Sequence, residues 1–153
     1  MPLLSMQELR ARLERGQRLI GIDPGRRTIG LALSDVGVTL ATPYGTLKRG
    51  KLRDNAAEIA GIARREDAGG LVVGLPLSMD GSVGPVAQAA RDWAMALSEA
   101  TGLPVALWDE RLSTVQANRF LIGEADLSRR KRAAVVDRMA AALMLQSAID
   151  ASR

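Results

Sequence analysis

The chain has 153 residues, 47% hydrophobic and 25% charged, with a net charge of +4, which suits one domain whose core needs no staples. It contains no His and no Cys, so a thiol nucleophile, a His general base, a Cys/His zinc site and a disulfide framework are all excluded. Catalysis, if any, falls to carboxylates and a hard, oxygen-seeking cation.

Ser5-Met6-Gln7-Glu8 reads as a capping box opening an amphipathic helix to Arg15, stopped by Gly16, and not as a signal peptide. A strand is expected over Arg18 to Asp23, then a tight turn with Pro24 and Gly25 at its two central positions. Thr28 to Asp35 alternates, with Ile29, Leu31 and Leu33 on one face, so it pairs back as a hairpin. A third extended stretch covers Thr39 to Leu47, bent near Pro43. Leu52 to Glu66 has helical spacing, and Leu71 to Leu75 is a buried strand preceded by Gly69-Gly70. A polar loop holding Asp80-Gly81-Ser82 leads to a helix from Pro85 to Ala100. Pro104 to Trp108 is the next strand and ends at Asp109-Glu110. Ser113 caps a helix to Ile122, and a basic connection containing Gly123 precedes a final helix over Arg132 to Ala151. No apolar run approaches bilayer length, so a soluble, cytoplasmic protein with no membrane partner is expected.

Three antiparallel strands followed by helix, strand, helix, strand predict an α/β protein with a mixed sheet flanked by helices. Sites in such sheets form at the carboxyl ends of parallel strands, where Asp23 and the Asp109-Glu110 pair stand. Asp109 and Glu110 are adjacent on a strand, so they point to opposite faces and at most one looks into a site. Asp137 lies in an alanine-rich helix whose small neighbours allow close approach to the sheet. Singly, each acid is explained by structure: a turn Asp, an Arg-paired strand end, an exposed helix residue. Together they favour a cation site, because converging carboxylates repel unless a divalent ion neutralises them. Mg²⁺ or Mn²⁺, as one or two ions, is the natural occupant, and hydrolysis of a phosphodiester is the inferred chemistry.

The basic residues comprise 18 Arg and 3 Lys, a bias that suits phosphate oxygens but follows equally from GC-rich coding. The run Arg129, Arg130, Lys131, Arg132 is the clearer nucleic-acid signal, against the alternative of a solvated helix start.

Four blocks then resemble the YqgF/RuvX family of pre-16S rRNA nucleases and Holliday junction resolvases. They are Gly21-Ile22-Asp23 through Ile29-Gly30-Leu31-Ala32; Val73 to Leu77 through Asp80-Gly81-Ser82; Asp109 to Thr114 with Ala117; and Val136-Asp137 through Ala140-Ala141 to Gln146. The resemblance implies a ribonuclease H-like fold, with a five-stranded sheet of antiparallel meander followed by parallel strands. It implies that Asp23, Glu110 and Asp137 are the catalytic, metal-holding acids, with Asp109 in support. Candidate substrate contacts are Arg26, Asp80, Ser82, Arg111, Thr114, Arg129, Arg130, Lys131 and Arg132. Thr28 and Ser78 depart from the pattern where Arg and Asn are common, as does Leu75-Pro76, where many related nucleases carry an acid. Residues 1–17 stand outside the resemblance as a helical extension of a nuclease domain spanning 18–153.

The leading expectation is a metal-dependent endonuclease on structured RNA, maturing the 5′ end of 16S rRNA in pre-ribosomal particles, as a monomer or dimer. A four-way DNA junction is the alternative substrate. A sugar-kinase-type ATPase is disfavoured by the lack of a second domain and phosphate loop. A non-catalytic RNA- or protein-binding module is the remaining class. With 3% aromatics, a base-stacking platform is not expected.

Overall fold

The computed structural model describes residues 3–75, 84–109 and 129–153, with side chains of the last segment described from 138 onward. Its elements are α1 (Met6–Arg12), β1 (Arg18–Pro24), β2 (Thr28–Ser34), β3 (Ala41–Lys48), α2 (Leu52–Glu66), β4 (Ala68–Leu75), α3 (Pro85–Thr101), β5 (Val105–Asp109) and α4 (Arg129–Ala151). The strands form one mixed sheet in the order β3-β2-β1-β4-β5. β1 is antiparallel to β2, β2 to β3, while β1, β4 and β5 run parallel. This is the meander-then-parallel sheet expected of a ribonuclease H-like fold.

Helices cover both faces, and strand alternation decides which residues each face receives. Ile20, Ile22, Ile29, Leu31, Leu33, Leu71, Val73 and Val105 meet Ala56, Ile59, Ile62 and Ala63 of α2 and Ala94 and Leu97 of α3. The opposite face carries Leu19, Ala32, Val72 and Ala106, packed under Ala141, Met144, Leu145, Ala148 and Ile149 of α4. α1, in the segment set apart as an extension, brings Met6 and Leu9 to that second face, and Leu4 bridges to Ala106.

The local signals explain most boundaries. Ser5 accepts from the Glu8 N–H while Glu8 accepts from the Ser5 N–H, each at 3.1 Å, closing the expected capping box. α1 stops at Arg12, short of the expected Arg15, because Leu13 turns extended and Gln17 bonds back to the Glu14 N–H at 2.9 Å. β4 begins earlier than expected and includes both glycines. A Cβ on Gly70 would lie 2.6 Å from Leu9 Cδ1, so glycine is there to admit α1, not to precede a strand. The bend near Pro43 is a register shift: Leu31 faces Gly45 but Ala32 faces Pro43, which leaves Tyr44 as the extra residue. The run 129–132 lies within α4 and not in a connection before it. No helix among the described residues is long and apolar enough to cross a membrane.

The β2–β3 corner is closed by Asp35. Its carboxylate accepts from Thr39 Oγ1 at 2.6 Å, the Thr39 N–H at 2.7 Å and the Leu40 N–H at 3.0 Å. These bonds, the Thr39 hydroxyl first, hold its pKa down at about 2 from 3.8. A carboxyl whose folded pKa is lowered adds stability above its unfolded value, and that stability fades as pH falls from 3.8 towards 2. The corner is exposed, so the effect on global stability is small. Carboxyl NMR should give Asp35 a midpoint near 2, rising towards the ordinary value in Thr39→Val.

Candidate active site

Asp23 is the next-to-last residue of β1 and lies half-buried. Counting from Leu19 by twos, Leu19, Gly21 and Asp23 share the face that α4 covers, whereas Ile20 and Ile22 enter the opposite core. Across the sheet Asp23 pairs with Gly30. The parallel pair Ile22–Val73 sets Asp23 level with Gly74, and Gly74 pairs with Trp108. The row therefore reads Gly30, Asp23, Gly74, Trp108. Asp23 thus has no side chain immediately beside it on either neighbouring strand of its row, and both glycines are buried.

The preceding row is tightly covered. It reads Ala32, Gly21, Val72, Ala106, and a Cβ on Gly21 would lie 2.8 Å from Leu145 Cβ and 3.3 Å from the Ala141 carbonyl oxygen. α4 thus rests directly on β1. Its position is held from both sides. Gln146 accepts from the Ala41 N–H at 2.8 Å and donates to the Thr39 carbonyl at 3.0 Å. Trp108 Nε1 donates to Ser147 Oγ at 3.2 Å. That contact shows Trp108 on the α4 face, so Asp109, next along the strand, belongs to the other face.

The turn after Asp23 differs from the sequence expectation. Pro24 is the last strand residue, opposite Ile29, and the Gly25 N–H donates to the Thr28 carbonyl at 2.9 Å. Arg26 and Arg27, both exposed, form the tip. Pro24 is accommodated because its missing N–H falls where the ladder to β4 has ended. Glycine is needed at 25 for space: a Cβ there would sit 2.6 Å from the Thr28 carbonyl oxygen. Gly25→Ala should therefore lose about 1–3 kcal/mol in urea unfolding through overpacking.

Of the predicted acids, Asp23 is placed by the structure on the α4 face at the carboxyl end of β1. Asp137 lies on α4, one turn before Ala141, where only the backbone is described; the same holds for Arg129, Arg130, Lys131 and Arg132. Glu110, Asp80, Ser82, Arg111 and Thr114 lie outside the described residues. Among the described residues no three acids gather at one point. Gly30 and Gly74 stand in the blocks that carry the family resemblance, but the sequence does not show that they flank Asp23, because strand pairing is a long-range contact.

Comparison with known proteins supplies the kinship. Residues 17–151 match the family model described as "RuvX: Holliday junction resolvase". The chain is 62% identical over 152 residues to a protein of Gluconacetobacter diazotrophicus named "Putative pre-16S rRNA nuclease", covering 99% of each. It is 60% identical over 153 residues to a protein of the same name from Gluconobacter oxydans, covering 100% of this chain and 96% of that one. Among solved structures it is similar to T. thermophilus RuvC in complex with a Holliday junction substrate, at 18% identity and a TM-score of 0.48, over 84% of this chain and 91% of that one. With a family match over nearly its whole length and relatives of this identity, the chain belongs to the RuvX family.

Proposed function

We propose that this chain is a divalent-metal-dependent endonuclease that hydrolyses phosphodiester bonds in structured nucleic acid, with the 5′ extension of pre-16S rRNA as its substrate. The observation that carries the reading is Asp23: a half-buried carboxylate on the α4 face, flanked by Gly30 and Gly74, at the carboxyl end of a central parallel strand. The names of the full-length relatives supply the substrate.

Asp23, Glu110 and Asp137 are the proposed metal-holding set. Their oxygens suit Mg²⁺ or Mn²⁺, and a bound ion would activate water and stabilise charge on the phosphate during in-line displacement. Glu110 follows Asp109, the last residue of β5, and its place in the set rests on the family resemblance. α4 contributes the third acid. Its Gln146 end lies by Ala41, which pairs with Ser34, and Ser34 accepts from the Leu19 N–H near the start of β1. The helix therefore runs back towards the end of β1. From the shared contact at Gly21, Asp23 is two strand residues on, about 6.6 Å. Asp137 is one helical turn back from Ala141, about 6 Å. These two steps from the shared contact support the proposal that Asp137 joins Asp23. Asp23 is oriented by its strand, by the turn at Gly25 and by the helix that closes over Gly21. Arg26 at the turn tip is a proposed phosphate contact, with Asp80, Ser82, Arg111, Thr114 and Arg129 to Arg132.

The family model's own description favours a second substrate, the four-way DNA junction, with the same chemistry. Purified protein, freed of metal with EDTA and supplied with Mg²⁺ or Mn²⁺, should cut a 5′-extended rRNA precursor in preference to a DNA junction. Preference for the junction would transfer the proposal to DNA. Equal binding with no cutting of either would leave a binding module.

A further inference from the structure

A second cationic surface adjoins the carboxyl end of β1, and apart from Arg26 its residues have no role in the reading above. Strand pairing joins two segments that are separate in sequence. Thr28 faces Lys48, and the Arg49 N–H donates to the Arg27 carbonyl at 2.9 Å. Arg26, Arg27, Lys48, Lys51 and Arg53 are all exposed there. Arg49 instead turns inward: Nη1 donates to the Gly25 carbonyl at 2.7 Å, and its guanidinium lies 5.3 Å from the centre of the Trp93 ring. It fastens the β1–β2 turn to the end of β3 and to α3.

The corner that carries the lysines is also built. Asn55, 1% exposed, donates to the Lys48 carbonyl at 3.1 Å and accepts from the Gly50 N–H at 2.9 Å. Acids are few on this side. Asp54 Oδ1 lies 3.9 Å from Arg53 Nε, and Glu58 accepts from Asn55 Nδ2 at 3.0 Å. Among the described residues Lys48 and Lys51 have no carboxylate partner. The fold thus gathers exposed cations on a rigid corner beside Asp23 and leaves the two lysines unneutralised. Like charges gathered in this way repel one another, and a polyanion bound there relieves that repulsion.

We propose that Arg27, Lys48, Lys51 and Arg53 form a phosphate-binding surface on which the backbone of the nucleic-acid strand rests as it leaves the Asp23 site on the β3 side. This deepens the nuclease reading, but the binding itself needs no catalysis. Lysines on such a surface act as point charges that displace condensed counterions, so they set affinity and salt dependence, not sequence choice.

The test measures binding of the 5′-extended rRNA precursor in EDTA, where nothing is cut, over a range of KCl concentrations. Lys48→Gln/Lys51→Gln is compared with Arg64→Gln/Arg65→Gln, which removes the same charge from exposed positions at the far end of α2, about 20 Å away. The salt slope should fall in the lysine variant by about 0.7–0.9 for each phosphate no longer neutralised, and stay at the wild-type value in the arginine control. All four side chains are exposed, and unchanged thermal midpoints verify the fold. A wild-type slope in the lysine variant, or equal losses in both variants, overturns the proposal. Wild type that binds with a lysine-dependent slope yet never cuts with Mn²⁺ supports the surface and removes the nuclease reading. Metal-dependent cutting with a slope indifferent to the lysines does the reverse.

Discussion

Asp23→Asn should abolish metal-dependent cleavage while leaving the protein folded and able to bind nucleic acid. Outer partners of metal ligands typically cost 10–100-fold in metal affinity or activity. Removing a proposed ligand should cost at least about 100-fold in kcat, or about 2.7 kcal/mol of barrier. Asn keeps the shape of the side chain and one oxygen, so it loses charge without opening a cavity in the row between Gly30 and Gly74. The same change removes one charge from a proposed cluster of three, so metal-free Asp23→Asn should melt no lower than metal-free wild type. Mn²⁺ should raise the melting temperature of wild type by binding the folded state, and do so far less in the variant. Thermal melts with and without Mn²⁺, beside single-turnover cleavage, separate the possibilities. A variant that cuts at the wild-type rate would remove Asp23 from the chemistry.

Gly21→Ala should damage both the fold and the site. The added Cβ would meet Leu145 Cβ at 2.8 Å and the Ala141 carbonyl oxygen at 3.3 Å. Neither atom is the free end of a flexible chain, so α4 itself must move. Overpacking of this kind costs about 1–3 kcal/mol, readable as a lower urea midpoint with an unchanged slope. α4 is tied to the sheet through Gln146 and Ser147, so the shift should appear at its N-terminal half, where Asp137 lies. A displacement of about 1 Å at a reacting geometry costs on the order of 100-fold. Activity should therefore fall by much more than the residual stability explains, assayed at a temperature where the variant is fully folded. Equal activity per folded molecule would show that α4 absorbs the methyl without moving its acid.

Much of the fold was legible because its signals are local. The alternation of Ile29, Leu31 and Leu33 marks a strand with one face in the core, and those three residues do share the α2–α3 core. Leu52 to Glu66 carries helical spacing between clear stops and forms α2 over those same residues. Errors arose where a local signal had a distant cause. Gly69 and Gly70 resemble punctuation before a strand, but they lie within it, Gly70 beneath Leu9 of α1 and Gly69 beneath Leu13 and Gln17 of the segment that follows. Pro24 and Gly25 have turn chemistry, yet the hairpin ladder continues through Pro24 and places the arginines at the tip.

The sequence by itself determined the available chemistry, since a chain with no His and no Cys leaves carboxylates and an oxygen-seeking cation. It also determined that Asp23 stands at the end of an apolar strand. Alternation carries relative facing but no absolute direction. Only the tertiary structure decided which face is which, because α4, far along the chain, packs on Gly21 and meets Trp108 through Ser147. The same holds for Lys48 beside the Asp23 turn: strand pairing is a long-range contact, and no local pattern in either segment encodes its partner.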